Sequence, residues 1–144
     1  MAESKEQPYL AGRVENVMTI NPVIVRVDRP LKELVNLFLA HHYHGVPVVN
    51  ADGKLVGVVR DSEILSMFAG RDPFVGEYRT VGDIMHVPPF VIGPKETIQR
   101  AALKMFVDGT RFLVVVEKGD SVIGVVTRVD LIRGIQWRVD GEGS

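Results

Sequence analysis

Apolar and polar positions follow the same order twice along this chain. Sliding the sequence against itself by 67 positions aligns residues 14–65 with 81–132 without a gap, and eight of the 52 pairs are identical. Each copy reads as a β-branched strand, an amphipathic helix, two Val-rich strands and a last helix. The pattern therefore predicts a tandem pair of strand–helix–strand–strand–helix units.

In the first copy, residues 13–69, helical spacing and turn residues set the expected bounds. Leu31, Leu34 and Phe38 recur at helical spacing after Pro30, a residue suited to a helix start. The expected elements are a helical turn at 14–18, strands at 23–27, 46–49 and 55–59, a helix from 31 closed by Gly45, and a helix capped by Asp61.

The second copy, residues 80–138, repeats this order. Its expected elements are a turn at 81–85 capped by Thr80, a strand near 90–92, a helix over about 96–107, strands at 112–116 and 122–126, and a helix over about 129–138. Residues 70–79 read as a polar linker, and 1–12 and 139–144 read as frayed ends.

These units predict an α+β fold of two β-α-β-β-α repeats packed sheet to sheet with pseudo-twofold symmetry. A three-stranded sheet covered by two helices leaves one face exposed, and a second sheet would bury the Val-rich strands. Gly57 and Gly124 lie inside strands of the two copies, where glycine indicates a close backbone approach.

Composition narrows the function classes. The chain has 144 residues, and its net charge of −1 argues against a dedicated nucleic-acid binder. The absence of cysteine excludes disulfides and thiolate zinc sites. The start is polar, unlike a signal peptide, and no apolar stretch is long enough to span a membrane. We expect a cytoplasmic protein.

Three segments carry a family resemblance: VGDIM (81–85), GVPVVNADGKLVGVV (45–59) and VIGVVTRVDLI (122–132). Together with the duplication, they resemble a tandem cystathionine-β-synthase (CBS) domain pair, or Bateman module, over about residues 14–134. The resemblance implies a stand-alone regulatory, energy-sensing module that binds AMP, ADP, ATP or S-adenosylmethionine between the repeats. It also implies a homodimer, a regulated partner protein and no obligatory cofactor.

The segment from Thr127 to Asp130 offers chemistry that suits a nucleotide. The Asp130 carboxylate can accept hydrogen bonds from both ribose hydroxyls, and Thr127 precedes a helix start whose free N–H groups favour a phosphate. Arg128 can add a cation. Thr-x-x-Asp is also a helix capping box, so both interpretations stay open.

The resemblance assigns residues to two clefts. The main ligand-binding cleft would join Met18, Thr19, Asn21, Val23, Tyr43, His44, Gly45, Pro47, Thr127, Arg128 and Asp130. The second, degenerate cleft would join Arg60, Glu63, Pro89, Phe90, Thr110 and Arg111. It departs from the family pattern because Arg60 and Glu63 stand where the other copy has Thr127 and Asp130.

Other functions have weaker signals. His41 and His44 are spaced to share a metal ion, but no matched cluster completes a site, so we predict none. The sequence lacks a nucleophile–base pair or a phosphate-binding glycine loop, so we expect no enzyme. The alternative is a ligand-free dimerisation or scaffold module.

Overall fold

The computed structural model describes residues 5–70 and 78–139, so most of the expected linker and parts of both ends lie outside the described residues. The strands are β1 (Glu6–Leu10), β2 (Thr19–Ile20), β3 (Val25–Arg26), β4 (Gly45–Val49), β5 (Leu55–Arg60), β6 (Val91–Ile92), β7 (Phe112–Glu117), β8 (Ser121–Thr127) and β9 (Ile135–Val139). The α-helices are α1 (Val14–Val17), α2 (Leu31–Ala40), α3 (Asp61–Ser66), α4 (Ile98–Asp108) and α5 (Arg128–Ile132).

The predicted strand–helix–strand–strand–helix unit is confirmed in both repeats. In each, the first strand pairs parallel with the second and the second pairs antiparallel with the third, giving β3-β4-β5 and β6-β7-β8. Each sheet has a register shift at the same repeat position, after Val48 and after Val115. The duplication in the sequence is thus a duplication in structure.

The two sheets pack face to face, as predicted. Leu55 and Val58 of the first sheet form one buried cluster with Phe112 and Val114 of the second. Two further clusters lie beneath the helices, around Leu34 in the first repeat and around Met105 in the second. Burial of these Val-rich strands supplies the main stabilising term that neither repeat has alone.

The repeats also exchange their leading segments. Val14 of α1 is buried in the core of the second repeat, and Val81 is buried in the core of the first. Their backbone N–H groups donate to Glu96 O and Arg29 O at 2.9 and 3.0 Å, which are equivalent positions in the two repeats. Each repeat therefore depends on a segment of the other for a complete core.

The close approach predicted at the two strand glycines is confirmed. A Cβ on Gly124 would lie 2.7 Å from Thr19 O of β2, which pairs with β8. A Cβ on Gly57 would lie 3.0 Å from His86 O and 2.7 Å from Met85 Sδ. Only glycine lets the leading segments cross these strands without displacing backbone or a side chain.

The chain ends differ from the prediction. The helix expected at 129–138 ends at Ile132, and β9 pairs antiparallel with β1, so residues 6–10 form a strand where a frayed end was predicted. Ile135, Trp137 and Val139 alternate with polar residues, the period of a strand. The alternation indicates a strand, but its partner β1 lies at the opposite end of the chain, so the local sequence does not indicate the pairing.

Three element boundaries also differ. Helix α2 ends at Ala40, and Gly45 begins β4 rather than closing the helix. Asp61 is the first residue of α3, and Glu63 instead bonds the cap residue Arg60. The first strand contracts from 23–27 to Val25–Arg26, because only these two residues pair with β4.

Candidate functional site

A cavity of about 320 Å³ opens between the two repeats. Its lining comes from both: Thr19, Asn21, Pro22, Val23, His42, Tyr43, His44, Gly45 and Pro47 from the first, and Phe112, Val125 and Thr127 from the second. The volume falls within the range of small-ligand pockets, about 300–1,000 Å³. The cavity is therefore large enough for a small organic ligand.

The crossing of β2 over β8 builds one wall of this cavity. Thr19 pairs with Val125 in that crossing, and the chain then turns sharply at Asn21, whose φ of 54° lies in the left-handed region. Asparagine tolerates this conformation better than most residues. The turn leads the chain into Val23, which stays 40% exposed on the cavity wall.

Most residues predicted for the main cleft line the cavity together. Eight of the eleven do so, and they are Thr19, Asn21, Val23, Tyr43, His44, Gly45, Pro47 and Thr127. The three that do not are Met18, Arg128 and Asp130. Met18 packs against the core of the second repeat, and its sulfur would lie 2.9 Å from a Cβ on Gly124.

The expected position of Arg128 in the cleft is corrected by the structure. Its guanidinium lies over the ring of Phe106, 5.5 Å from the centroid, and lines an apolar groove beside α4 and α5. Arg128 is the residue after Thr127, so its side chain projects toward a different face of the chain. Its charge is directed away from the cavity.

Asp130 lies behind Thr127, and its carboxylate is engaged within the chain. Oδ2 accepts from the Thr127 N–H and hydroxyl at 2.8 and 3.0 Å, and Oδ1 accepts from Arg133 Nη1 at 2.7 Å. The residue is 4% exposed. The capping box is thus present, and a ribose would have to compete for Oδ1.

The start of α5 also offers fewer free donors than the sequence suggested. The Thr127 N–H donates to Asp130 Oδ2, the Arg128 N–H to Arg111 O at 3.3 Å, and the Asp130 N–H to Thr127 Oγ1 at 3.3 Å. The helix has only five residues. These three contacts weaken the expectation of a phosphate held by free N–H groups here, because three of the groups at the helix start already have partners.

The second cleft holds an internal ion pair. Arg60 Nε and Nη2 donate to the two Glu63 carboxylate oxygens at 2.9 and 2.8 Å, and the guanidinium lies 4.8 Å from the ring centroid of Phe90. Thr110 is buried, with its hydroxyl donating to Phe112 O, while Arg111 is exposed and Pro89 half-buried. Of the six residues predicted here, Arg60, Glu63 and Phe90 therefore contact one another.

The Arg60–Glu63 pair affects both pKa values. Hydrogen bonding to Glu63 raises the pKa of the Arg60 guanidinium. Burial alone would raise the pKa of the Glu63 carboxyl, but the hydrogen bonds from the Arg60 side chain and backbone outweigh it and leave the pKa lowered. The pair is therefore fully charged near neutral pH.

Four lining residues were missed by the sequence prediction: Pro22, His42, Phe112 and Val125. Val125 precedes Thr127 by two positions in a strand, so it faces the same side, which was a usable signal. Phe112 aligns with Gly45 when the repeats are superposed by the shift of 67 positions. The difference in side-chain size between these two aligned residues was a second signal.

Residues 5–70 and 78–139 show neither a cluster of metal ligands nor a helix that could span a membrane. No three histidine or acidic side chains come together there as a candidate metal-ligand group. The ring of His41 contacts that of Tyr43, with centroids 5.0 Å apart. None of the helices in these ranges has the length and apolar character needed to cross a bilayer.

Two curated proteins of an archaeon align with most of this chain. An uncharacterized protein, MJ1426 of Methanocaldococcus jannaschii, is 28% identical, with 79% of this chain and 86% of that protein covered. Other relatives are longer: the chain spans 49% of MJ1225 from the same organism, at 24% identity over 94% of this chain.

Among solved structures, that of CBSX2 in complex with AMP is 25% identical, with a TM-score of 0.73 over 85% of this chain and 95% of that one. The CBS domain of a bacterial CNNM/CorC family Mg²⁺ transporter in complex with ATP is also 25% identical, with a TM-score of 0.69 and 85% of each chain covered. The sequence profile of the CBS domain matches residues 14–70 and 81–136. The chain therefore belongs to the CBS domain family, as a tandem pair.

Proposed function

We propose that this chain is a regulatory module that binds an adenosine-containing nucleotide, such as AMP, ADP or ATP, in the cavity between its repeats. The observation that carries the proposal is the cavity itself, about 320 Å³ and lined by residues of both repeats. Similar CBS domain structures hold AMP or ATP. S-adenosylmethionine has the same adenosine group and belongs to the same ligand class.

The lining has the chemistry that an adenosine ligand needs. Val23, which is 40% exposed, offers apolar surface to a purine base, and the buried Pro47 and Phe112 lie in the cavity wall beside it. The polar edge of the base can bond to nearby backbone. Thr127, His42 and His44 place a hydroxyl and two imidazoles at the same cavity for the sugar and phosphate. Asp130 would reach the ribose by exchanging its contact with Arg133, whose side chain is 67% exposed, for one with a sugar hydroxyl.

A ligand held by both repeats can act as a signal. It favours whichever arrangement of the repeats gives it the most contacts, and a partner protein that reads this arrangement responds to ligand concentration. The exchanged leading segments couple the two cores, so a shift at the cavity affects the whole pair. No catalytic step is needed for this role.

We also propose that two copies associate through their helices. Exposed apolar side chains recur at equivalent positions of the two repeats, at Leu39 and Phe106 and at Leu65 and Ile132. Repetition of one apolar pattern suits a self-complementary contact. Sedimentation equilibrium tests it: the chain should behave as a dimer and Phe106→Glu as a monomer, and a monomeric wild type would contradict the proposal.

A ligand-free scaffold is the second candidate. It is favoured by the internal contacts of Asp130 and by the Arg60–Glu63 pair, which engage the side chains that would otherwise meet a ligand. This candidate has the same fold and the same association but no response to nucleotides.

Calorimetric titration with AMP, ADP, ATP and S-adenosylmethionine separates the two candidates. Val23→Trp fills the cavity and should abolish binding, whereas Ile24→Trp changes an adjacent residue of similar exposure, 45% against 40%, that does not line it. Binding by wild type and Ile24→Trp, with none by Val23→Trp, supports the proposal. No binding of any of the four by the folded wild type would leave the scaffold role.

A further inference from the structure

The residues of the second cleft correspond to those of the proposed nucleotide cavity through the shift of 67 positions between the repeats. Their side chains differ at positions that an entering ligand would contact. The longer and oppositely charged Arg60 and Glu63 take the places of Thr127 and Asp130. The aromatic Phe90 takes the place of the aliphatic Val23. The counterparts, cavity first, are Thr127 and Arg60, Asp130 and Glu63, Val23 and Phe90, and Thr19 and His86.

These larger side chains contact one another across the cleft. Arg60 and Glu63 are joined by two side-chain hydrogen bonds, and their side chains are 20% and 14% exposed. The guanidinium lies over Phe90, whose ring also stacks on His86 with centroids 4.8 Å apart and an angle of 14°. An aromatic face beneath the cation and a bidentate carboxylate are both favourable contacts for a guanidinium.

We propose that Arg60 is an internal occupant of the second cleft, held by Glu63 and Phe90, so that each chain binds one nucleotide and not two. This inference rests on the proposed function for the position of the first site. The planar guanidinium over the ring fills the surface against which a base would lie, and the carboxylate that would meet a ribose is already paired.

Electrostatics keeps this occupant in place. A nucleotide phosphate entering the cleft would have to draw the guanidinium from Glu63 and leave a half-buried carboxylate without its partner and close to another anion. The pKa of Glu63 is lowered in this environment, so the carboxylate stays charged and the pair stays closed near neutral pH.

The proposal predicts that the second site can be opened by exchanging two side chains. Arg60→Thr with Glu63→Asp gives the first repeat the Thr-x-x-Asp pattern of the second, and Phe90→Val can be added to restore the aliphatic wall. The reverse exchange, Thr127→Arg with Asp130→Glu, should close the cavity. Arg29→Thr with Glu33→Asp is the matched control, because it alters an exposed Arg–Glu pair remote from both clefts.

Calorimetric titration with AMP measures the number of sites per chain, with circular dichroism as the check on folding. We expect one site in wild type and in the Arg29/Glu33 control, two in the opened variant, and none in the closed one. Two sites in wild type, or one in a folded opened variant with or without Phe90→Val, would overturn the inference while leaving the proposed function intact.

The same titration distinguishes failure of the proposed function. If wild type binds none of AMP, ADP, ATP and S-adenosylmethionine but the opened variant binds one of them, Arg60 is supported as the occupant and the cavity assignment fails. If neither protein binds any of the four, both proposals fail. Should the opened variant not fold, the wild-type number still decides, because two sites are incompatible with an internal occupant.

Discussion

The ring of Phe112 occupies the space in which a side chain of Gly45 would stand, and a Cβ built on Gly45 would overlap its edge. These two residues are equivalents in the duplicated sequence, and both line the cavity. The two repeats thus meet asymmetrically at the seam, with a fully buried aromatic ring from one repeat set against a glycine of the other.

Gly45→Ala should therefore destabilise the chain by about 1–3 kcal/mol, the usual cost of overpacking a core. Adding Phe112→Leu should recover part of the loss, because the smaller side chain makes room for the new methyl group. Gly70→Ala is the control, since a Cβ there has no atom within 4 Å. Urea unfolding gives the three values, and equal effects of Gly45→Ala and Gly70→Ala would refute the contact.

The two strand glycines should differ in sensitivity. Gly124→Ala pushes against a backbone carbonyl at 2.7 Å, whereas the nearest atom to Gly57 is the flexible end of Met85 at the same distance. We expect Gly124→Ala to cost about 1–3 kcal/mol and Gly57→Ala less. Unfolding midpoints test this order, and the reverse order would mean that β2 moves aside more easily than Met85.

The contact between Arg133 and Asp130 competes with the proposed ribose. Arg133→Ala frees Oδ1 of Asp130 from an ion pair in which the arginine side chain is 67% exposed and the carboxylate side chain only 6% exposed. AMP affinity should rise by up to about fivefold. Arg138→Ala, on β9, is the control for loss of charge. A fall in affinity specific to Arg133→Ala would place Arg133 on the ligand instead.

Glu63 should contribute to stability in a pH-dependent way. Its pKa is lowered in the folded chain, so the stabilisation is complete above the ordinary glutamate pKa, about 4.3, and is lost as the pH falls below that value. The difference in melting temperature between wild type and Glu63→Gln should be largest near neutral pH and narrow in acid. A difference that grows in acid would contradict the assigned direction.

The repeat and the strand order could be predicted from the sequence, because they follow from local periodicity and from the duplication. Most of the cavity lining, including Thr19, Val23 and Thr127, was implied by the resemblance to CBS domain pairs. Pairing of β1 with β9 could not be predicted in this way, since it joins residues from opposite ends of the chain.

Side-chain direction was the other limit on sequence reasoning. Arg128 and Asp130 flank the cavity in sequence, but one packs on Phe106 and the other bonds Arg133. Neither direction is fixed by residue type or spacing. In the same way, the sequence predicted a degenerate second cleft from Arg60 and Glu63 without predicting that they bond each other.

A crystal structure of the chain grown with saturating AMP tests the central claim most directly. We predict one AMP molecule between the repeats, with its base against Val23 and its ribose hydroxyls within hydrogen-bond distance of Asp130 or Thr127. Density for AMP only outside this cavity, or an empty cavity in crystals of a chain that binds AMP in solution, would contradict the account.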